Sequence, residues 1–226
     1  MMRIEDNLNR IFDNIRNAAV SCGRKADEIR LVAVTKFVPE EKIRQALQYG
    51  VKDLGENRVQ EFTGKYEFFK NYDINIHFIG QLQTNKVKYV IGKVDFIQSL
   101  DRLPLAEQIN KYAGRLDLAQ KVFVEVNIGR EPQKAGILPE MLPEFLGRIC
   151  EMDHIVVKGL MCVPPVADER GAGKYFKQMK LLFDDSRKYF PGIQDLSMGM
   201  SNDYTTAILE GATMVRIGTG IFGPRQ

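Results

Sequence analysis

Residues 30–39, RLVAVTKFVP, place a lysine where an apolar strand stops. The β-branched run from Leu31 to Thr35 reads as a buried strand, and Lys36 sits at its tip. Burial and nearby positive charge lower a lysine's pKa, and the free amine is then a nucleophile whose natural partner is a carbonyl. Near the other end of the chain lie SMGMSND (197–203) and RIGTGIFG (216–223). Their glycines let backbone N–H groups approach an anion, and Ser201 and Thr219 add hydroxyls. Alternation puts Lys36 on one strand face with Val32 and Val34, and Arg216 on one face with Met214 and Gly218. If both faces point inward, two cations meet in one cleft, which calls for an anion or a covalent partner. A ligand carrying one aldehyde and one phosphate answers both needs, and pyridoxal 5′-phosphate is such a ligand.

The elements that must position these groups alternate along the chain. Ile4, Leu8, Ile11, Ile15, Ala18 and Cys22 mark one face of an N-terminal helix that Gly23 stops. Eight strand-like runs follow: IRLVAVT, VKDLG, NIHFIG, VDFIQSL, QKVFVEVN, IVVKGLMCV, IQDLSMG and ATMVRIG. Helix-like segments separate them, several closing on Gly as helix C-caps do. Strand–helix alternation implies right-handed crossovers and a parallel sheet. Eight units in this length predict one α/β domain, residues 1–226, folded as a closed (β/α)₈ TIM barrel. The extra N-terminal helix is expected beneath the barrel or at its side. An open doubly wound sheet has the same local alternation and is the second choice. In either fold ligands bind at the carboxyl ends of the strands. Those ends also carry Glu56 and Asn57, His77, Ser99, Glu125 and Asn127, Met161 and Cys162.

The totals exclude several classes. Lys and Arg number 32 against 29 Asp and Glu, a net charge of +3, so no field of the size nucleic acid needs is present. Three separated cysteines, Cys22, Cys150 and Cys162, predict free thiols in a reducing compartment, and two histidines without a C-x-x-C argue against a metal site. No window approaches the apolar run of about 18 residues that a membrane span needs, and the first residues lack a secretory core. The expectation is a cytoplasmic protein with no membrane or nucleic-acid partner.

The segments AVTKFVP, GENRVQE, HFIGQLQTNK, VEVNIGREPQKAG, GLMCVPP and LSMGMSNDYTTAILEGATMVRIGTGIFGPR, in this order across residues 30–225, resemble the YggS/PROSC family of pyridoxal-phosphate-binding proteins. The resemblance implies a barrel similar to the N-terminal domain of bacterial alanine racemases and a part in homeostasis of the cofactor. It implies Lys36 as the Schiff-base lysine, Ser201, Gly218 and Thr219 around the phosphate, and Arg216 facing the pyridine nitrogen. Asn57, His77 and Met198 are implied as neighbours of the ring. No catalytic residue is assigned.

Two functions then compete: a cofactor carrier, delivering to pyridoxal-phosphate-dependent apoenzymes, and an amino-acid racemase. Racemisation needs bases on both faces of a planar intermediate. Only Lys36 is in view, and the second domain that brings the other base in alanine racemases is not expected here. An arginine at the pyridine nitrogen keeps its proton and weakens the ring as an electron sink. The carrier reading is therefore expected, with a monomer. His77 is expected as a satisfied barrel residue, Lys134 as a solvated loop lysine, and Tyr204 as a packing residue.

Overall fold

The computed structural model describes residues 3–165 and 169–224. Its eight strands are β1 (Arg30–Val34), β2 (Asp53–Glu56), β3 (Asn75–Phe78), β4 (Phe96–Leu100), β5 (Gln120–Glu125), β6 (Ile155–Met161), β7 (Asp195–Ser197) and β8 (Met214–Ile217). Each pairs in parallel with the next, and β8 returns to β1 with Val32 beside Arg216, so the barrel is closed. The helices are α1 (Ile4–Ser21), α2 (Glu40–Gln48), α3 (Val59–Phe69), α4 (Leu103–Arg115), α5 (Leu142–Cys150), α6 (Glu169–Tyr189), α7 (Tyr204–Leu209) and α8 (Thr219–Phe222). The β3–β4 crossover, Thr84–Tyr89, is a 3₁₀ helix rather than an α-helix.

Strand alternation sorts the core into two layers. Val32, Phe96, Phe123, Met161 and Met214 fill the barrel, while Leu31, Ala33, Ile97, Val122, Val124, Leu160, Val215 and Ile217 face the helices. This settles the parity that the sequence left open: the Val32 and Met214 faces are the inner ones.

Helix α1 packs at the side of the barrel, against α2, α7 and α8. The reason is a gap. The segment after β8 forms only four helical residues, too few to cover the β8–β1 seam. The stripe of Leu8, Ile11, Ile15 and Ala18 covers it instead. Asn7 Nδ2 donates to the carbonyl of Ile221 at 2.9 Å, and Asn14 Nδ2 to the Tyr204 hydroxyl at 2.9 Å, which sets the register. Among the described residues no helix is long and apolar enough to cross a membrane.

Candidate functional site

Strand tips and the loops after them form the mouth of the barrel. A cavity of about 450 Å³ there is lined by Val34, Lys36, Lys42, Gly218, Thr219 and Phe222, among others. That volume suits a small ligand. Lys36 is half-buried. The two ends of the chain meet here because β1 and β8 are neighbours. Gly218 faces Val34, where an added Cβ would come within 3.3 Å of the valine Cβ. Thr219 Oγ1 donates to Ser201 Oγ at 3.1 Å, and the N–H of Gly220 approaches the same oxygen at 3.3 Å. Lys36, Ser201, Gly218 and Thr219 thus come together as the sequence predicts.

The turn that carries Lys36 is held by its neighbours. Thr35 Oγ1 donates to Glu56 Oε1 at 2.7 Å, and the Thr35 N–H to the Gly55 carbonyl at 2.9 Å. Lys65 Nζ donates to the Thr35 carbonyl at 2.7 Å and to Glu56 Oε1 at 2.9 Å. Glu56 is fully buried, and burial holds its carboxyl above the usual range against the opposing pull of Lys65.

Arg216 lies beneath, on the inner face of β8 and 4% exposed. One of its guanidinium nitrogens donates to Ser197 Oγ at 2.6 Å and the other to the Cys162 carbonyl at 2.8 Å. Cys162 therefore serves through its backbone, while burial pushes its thiol up to about 12. From Arg216 a line of buried groups crosses the barrel. Ser197 Oγ reaches Gln98 Oε1 at 2.7 Å, Gln98 Nε2 reaches His77 Nδ1 at 2.8 Å, and His77 Nε2 reaches Asp53 Oδ1 at 2.9 Å. Donor chemistry fixes its direction. Arginine can only donate, so the serine hydroxyl passes its proton side to the Gln98 carbonyl. The amide nitrogen then donates to Nδ1, which makes His77 the neutral Nε2–H tautomer facing the Asp53 carboxylate. Burial lowers the His77 pKa, outweighing Asp53, in accord with a neutral ring. The ring stacks on Phe96, centroids 4.6 Å apart.

Asn57 follows β2 at the mouth, with Oδ1 buried and unpartnered. Its backbone rests on Gly80, where a Cβ would stand 2.1 Å from the Asn57 carbonyl oxygen, so no larger residue fits. Met198 packs in the outer apolar layer, on the opposite face of β7 from Ser197. Glu125 is inward on β5, and burial, with Asp101 adding repulsion, raises its carboxyl to about 7 despite Arg216. Arg216 makes its bonds to Ser197 and Cys162 rather than an ion pair with Glu125. Sequence reading passed over Asp53, Gln98 and Ser197, although each is a polar residue at an inward position of an apolar strand.

A closed parallel barrel with a lysine and a hydroxyl-lined glycine turn at its mouth and a buried arginine beneath them defines a class, the alanine racemase-like barrels. The sequence profile described as "Alanine racemase, N-terminal domain" matches residues 7–226. The pyridoxal phosphate homeostasis protein of Aquifex aeolicus (strain VF5) is 45% identical over 223 residues, 98% of each chain. That of Escherichia coli (strain K12) is 37% identical over 230 residues, covering 100% of this chain and 98% of the relative. The structure of PipY from Synechococcus elongatus PCC7942 with PLP bound superimposes with a TM-score of 0.85 at 30% identity, over 98% of this chain and all of that one. Alanine racemase from Clostridium difficile 630 shares the fold, with a TM-score of 0.72 at 21% identity, over 97% of this chain but 56% of its own. The chain belongs to the alanine racemase N-terminal domain family, among the pyridoxal phosphate homeostasis proteins.

Proposed function

We propose that this protein binds pyridoxal 5′-phosphate through Lys36 and serves the homeostasis of that cofactor by holding and releasing it. The observation that carries the reading is the placement of a half-buried lysine and a glycine–hydroxyl turn on one cavity. The residues fit the cofactor in kind. Lys36 supplies the amine, Ser201, Thr219 and the Gly218–Gly220 backbone supply phosphate donors, and Arg216 supplies a fixed cation for the pyridine end. Asn57 brings an amide whose oxygen has no protein partner. His77 acts at one remove, through Gln98 and Ser197, by holding Arg216 in place. The bound cofactor brings an aldehyde that condenses reversibly with a primary amine. Membership of the family supports the reading, as does the PLP-bound PipY structure.

The carrier reading extends to a single domain over residues 1–226, monomeric and cytoplasmic, that hands the cofactor to apoenzymes. Nothing in the site favours the racemase alternative.

The test is direct. Borohydride reduction of the protein incubated with the cofactor, followed by peptide mapping, is expected to place the label on Lys36. Label on another lysine with Lys36 unmodified would refute the assignment. The phosphate end has its own test. Replacing Ser201 and Thr219 together by alanine and valine is expected to weaken binding by roughly 1–3 kcal/mol in total, the scale of hydrogen bonds to a charged group. An unchanged Kd for the double variant would move the phosphate elsewhere.

A further inference from the structure

We propose that Glu61 and Lys65 on α3 are positioning residues for Lys36: together they clamp the strained turn that aims its amine, and so govern how tightly the site retains an aldehyde ligand. This rests on the reading of Lys36 as the attachment point.

The motive is a backbone outlier. Phe37, the residue after Lys36, has φ of 59°, in the left-handed region that a bulky side chain rarely enters. Such conformations persist only where the surroundings hold them, and they concentrate at binding sites. Phe37 gains little from burial to offset the strain, since it is 53% exposed. Side chains of α3 hold it on one side. Glu61 Oε2 accepts the Phe37 N–H at 2.7 Å, across 24 residues of sequence. One helical turn on, Lys65 Nζ donates to the Thr35 carbonyl at 2.7 Å. The backbone is thus gripped immediately before and immediately after Lys36, by side chains four residues apart on one helix face. Arg58, the residue before α3, lays its guanidinium over the Phe37 ring at 5.0 Å.

The grip is itself stiff. Lys65 also bonds Glu56 Oε1 at 2.9 Å and lies 3.9 Å from Glu61 Oε2, so the two clamp residues support one another. Lys65 is only 15% exposed and Glu61 19%, so water screens the group weakly. Glu56, Glu61 and Lys65 do not line the cavity, whereas the Phe37 that they hold does. These three act on the ligand only through the turn that presents Lys36, and small misplacements of a reacting group are costly.

The experiment measures release and affinity with pyridoxal 5′-phosphate as probe. Glu61→Ala removes the acceptor and is expected to weaken retention about tenfold, the order of one charge-assisted hydrogen bond. Glu61→Gln keeps a carbonyl oxygen for the Phe37 N–H and is expected to stay within about twofold of the unaltered protein. The decisive arm is Phe37→Gly, because glycine enters the left-handed region freely. In that background Glu61→Ala should change retention by less than about twofold, since a turn without strain needs no clamp. Glu61→Leu, of similar volume, takes the place of the alanine variant if that one does not fold. Equal retention in Glu61→Ala and the unaltered protein overturns the clamp, and so does the same loss in both Phe37 backgrounds. Lys36→Ala separates this from failure of the underlying reading. If borohydride still fixes the probe on that variant, the attachment point is wrong and the clamp falls with it. If Lys36→Ala takes no label while Glu61→Ala retains the probe normally, the clamp alone is refuted.

Discussion

Replacing Gln98 by methionine is expected to lower the folding stability by roughly 2–5 kcal/mol, with little change in side-chain volume. Gln98 is fully buried and is the middle link between Arg216 and Asp53. Its amide oxygen accepts from Ser197, and its nitrogen donates to His77 Nδ1 and approaches Met214 Sδ at 3.1 Å. Methionine fills the space but can do neither. The Ser197 hydroxyl proton then lacks an acceptor and His77 Nδ1 a donor in a dry interior, each at a cost of about 1–3 kcal/mol, although Ser197 Oγ still accepts from Arg216. The volume-conserving choice separates this cost from that of a cavity. Urea unfolding gives the answer: the midpoint should fall while the slope stays constant, because the surface exposed is unchanged. A variant within about 0.5 kcal/mol of the unaltered protein, the usual scatter for substitutions away from such features, would mean that the chain carries little of the stability.

The opposite sign is expected at Glu125. Its carboxyl, raised from 4.5 to about 7 by burial and by Asp101, is more easily protonated in the folded than in the unfolded chain. The folded state therefore binds more protons between those two values. Stability on this account is full below about pH 4.5 and is lost as pH rises through 7. Above pH 7 the folded protein holds a carboxylate that burial disfavours. Glu125→Gln removes that liability, so it is expected to match the unaltered protein near pH 4.5 and to exceed it by up to roughly 3 kcal/mol at pH 8. Denaturant unfolding of both proteins at the two pH values measures the difference. A gap of the same size at both would assign the effect to packing rather than to the proton. A group kept at such a cost beside Arg216 is expected to have a use in the site.

How much of this was legible in the sequence depended on whether a signal was local. All eight strands stand where apolar, β-branched runs predicted them, because a strand buried on both sides announces itself by composition. Lys36 and Arg216 were placed on their faces by counting in twos. The same count applied to β7 puts Met198 opposite Ser197, and the structure has Met198 in the outer layer. The clamp was invisible for another reason. Glu61 and Lys65 read as ordinary polar positions of an amphipathic helix, and only tertiary contact across 24 and 30 residues gives them a task. The side-on position of α1 was equally hidden, since an apolar face declares that it needs cover without naming what it covers.

That helix has a consequence for the order of events during synthesis. Asn7 is tied to Ile221, and α1 packs on α7 and α8, which follow β7, as well as on α2. At translation speeds of about 5–20 residues per second, some ten to forty seconds separate the emergence of the helix from that of its last partner. Throughout that interval α1 carries a partly uncovered apolar face, and β1 lacks one of its two neighbours. The nascent barrel is therefore exposed to premature association over that interval, and it locks shut only when its final strand arrives.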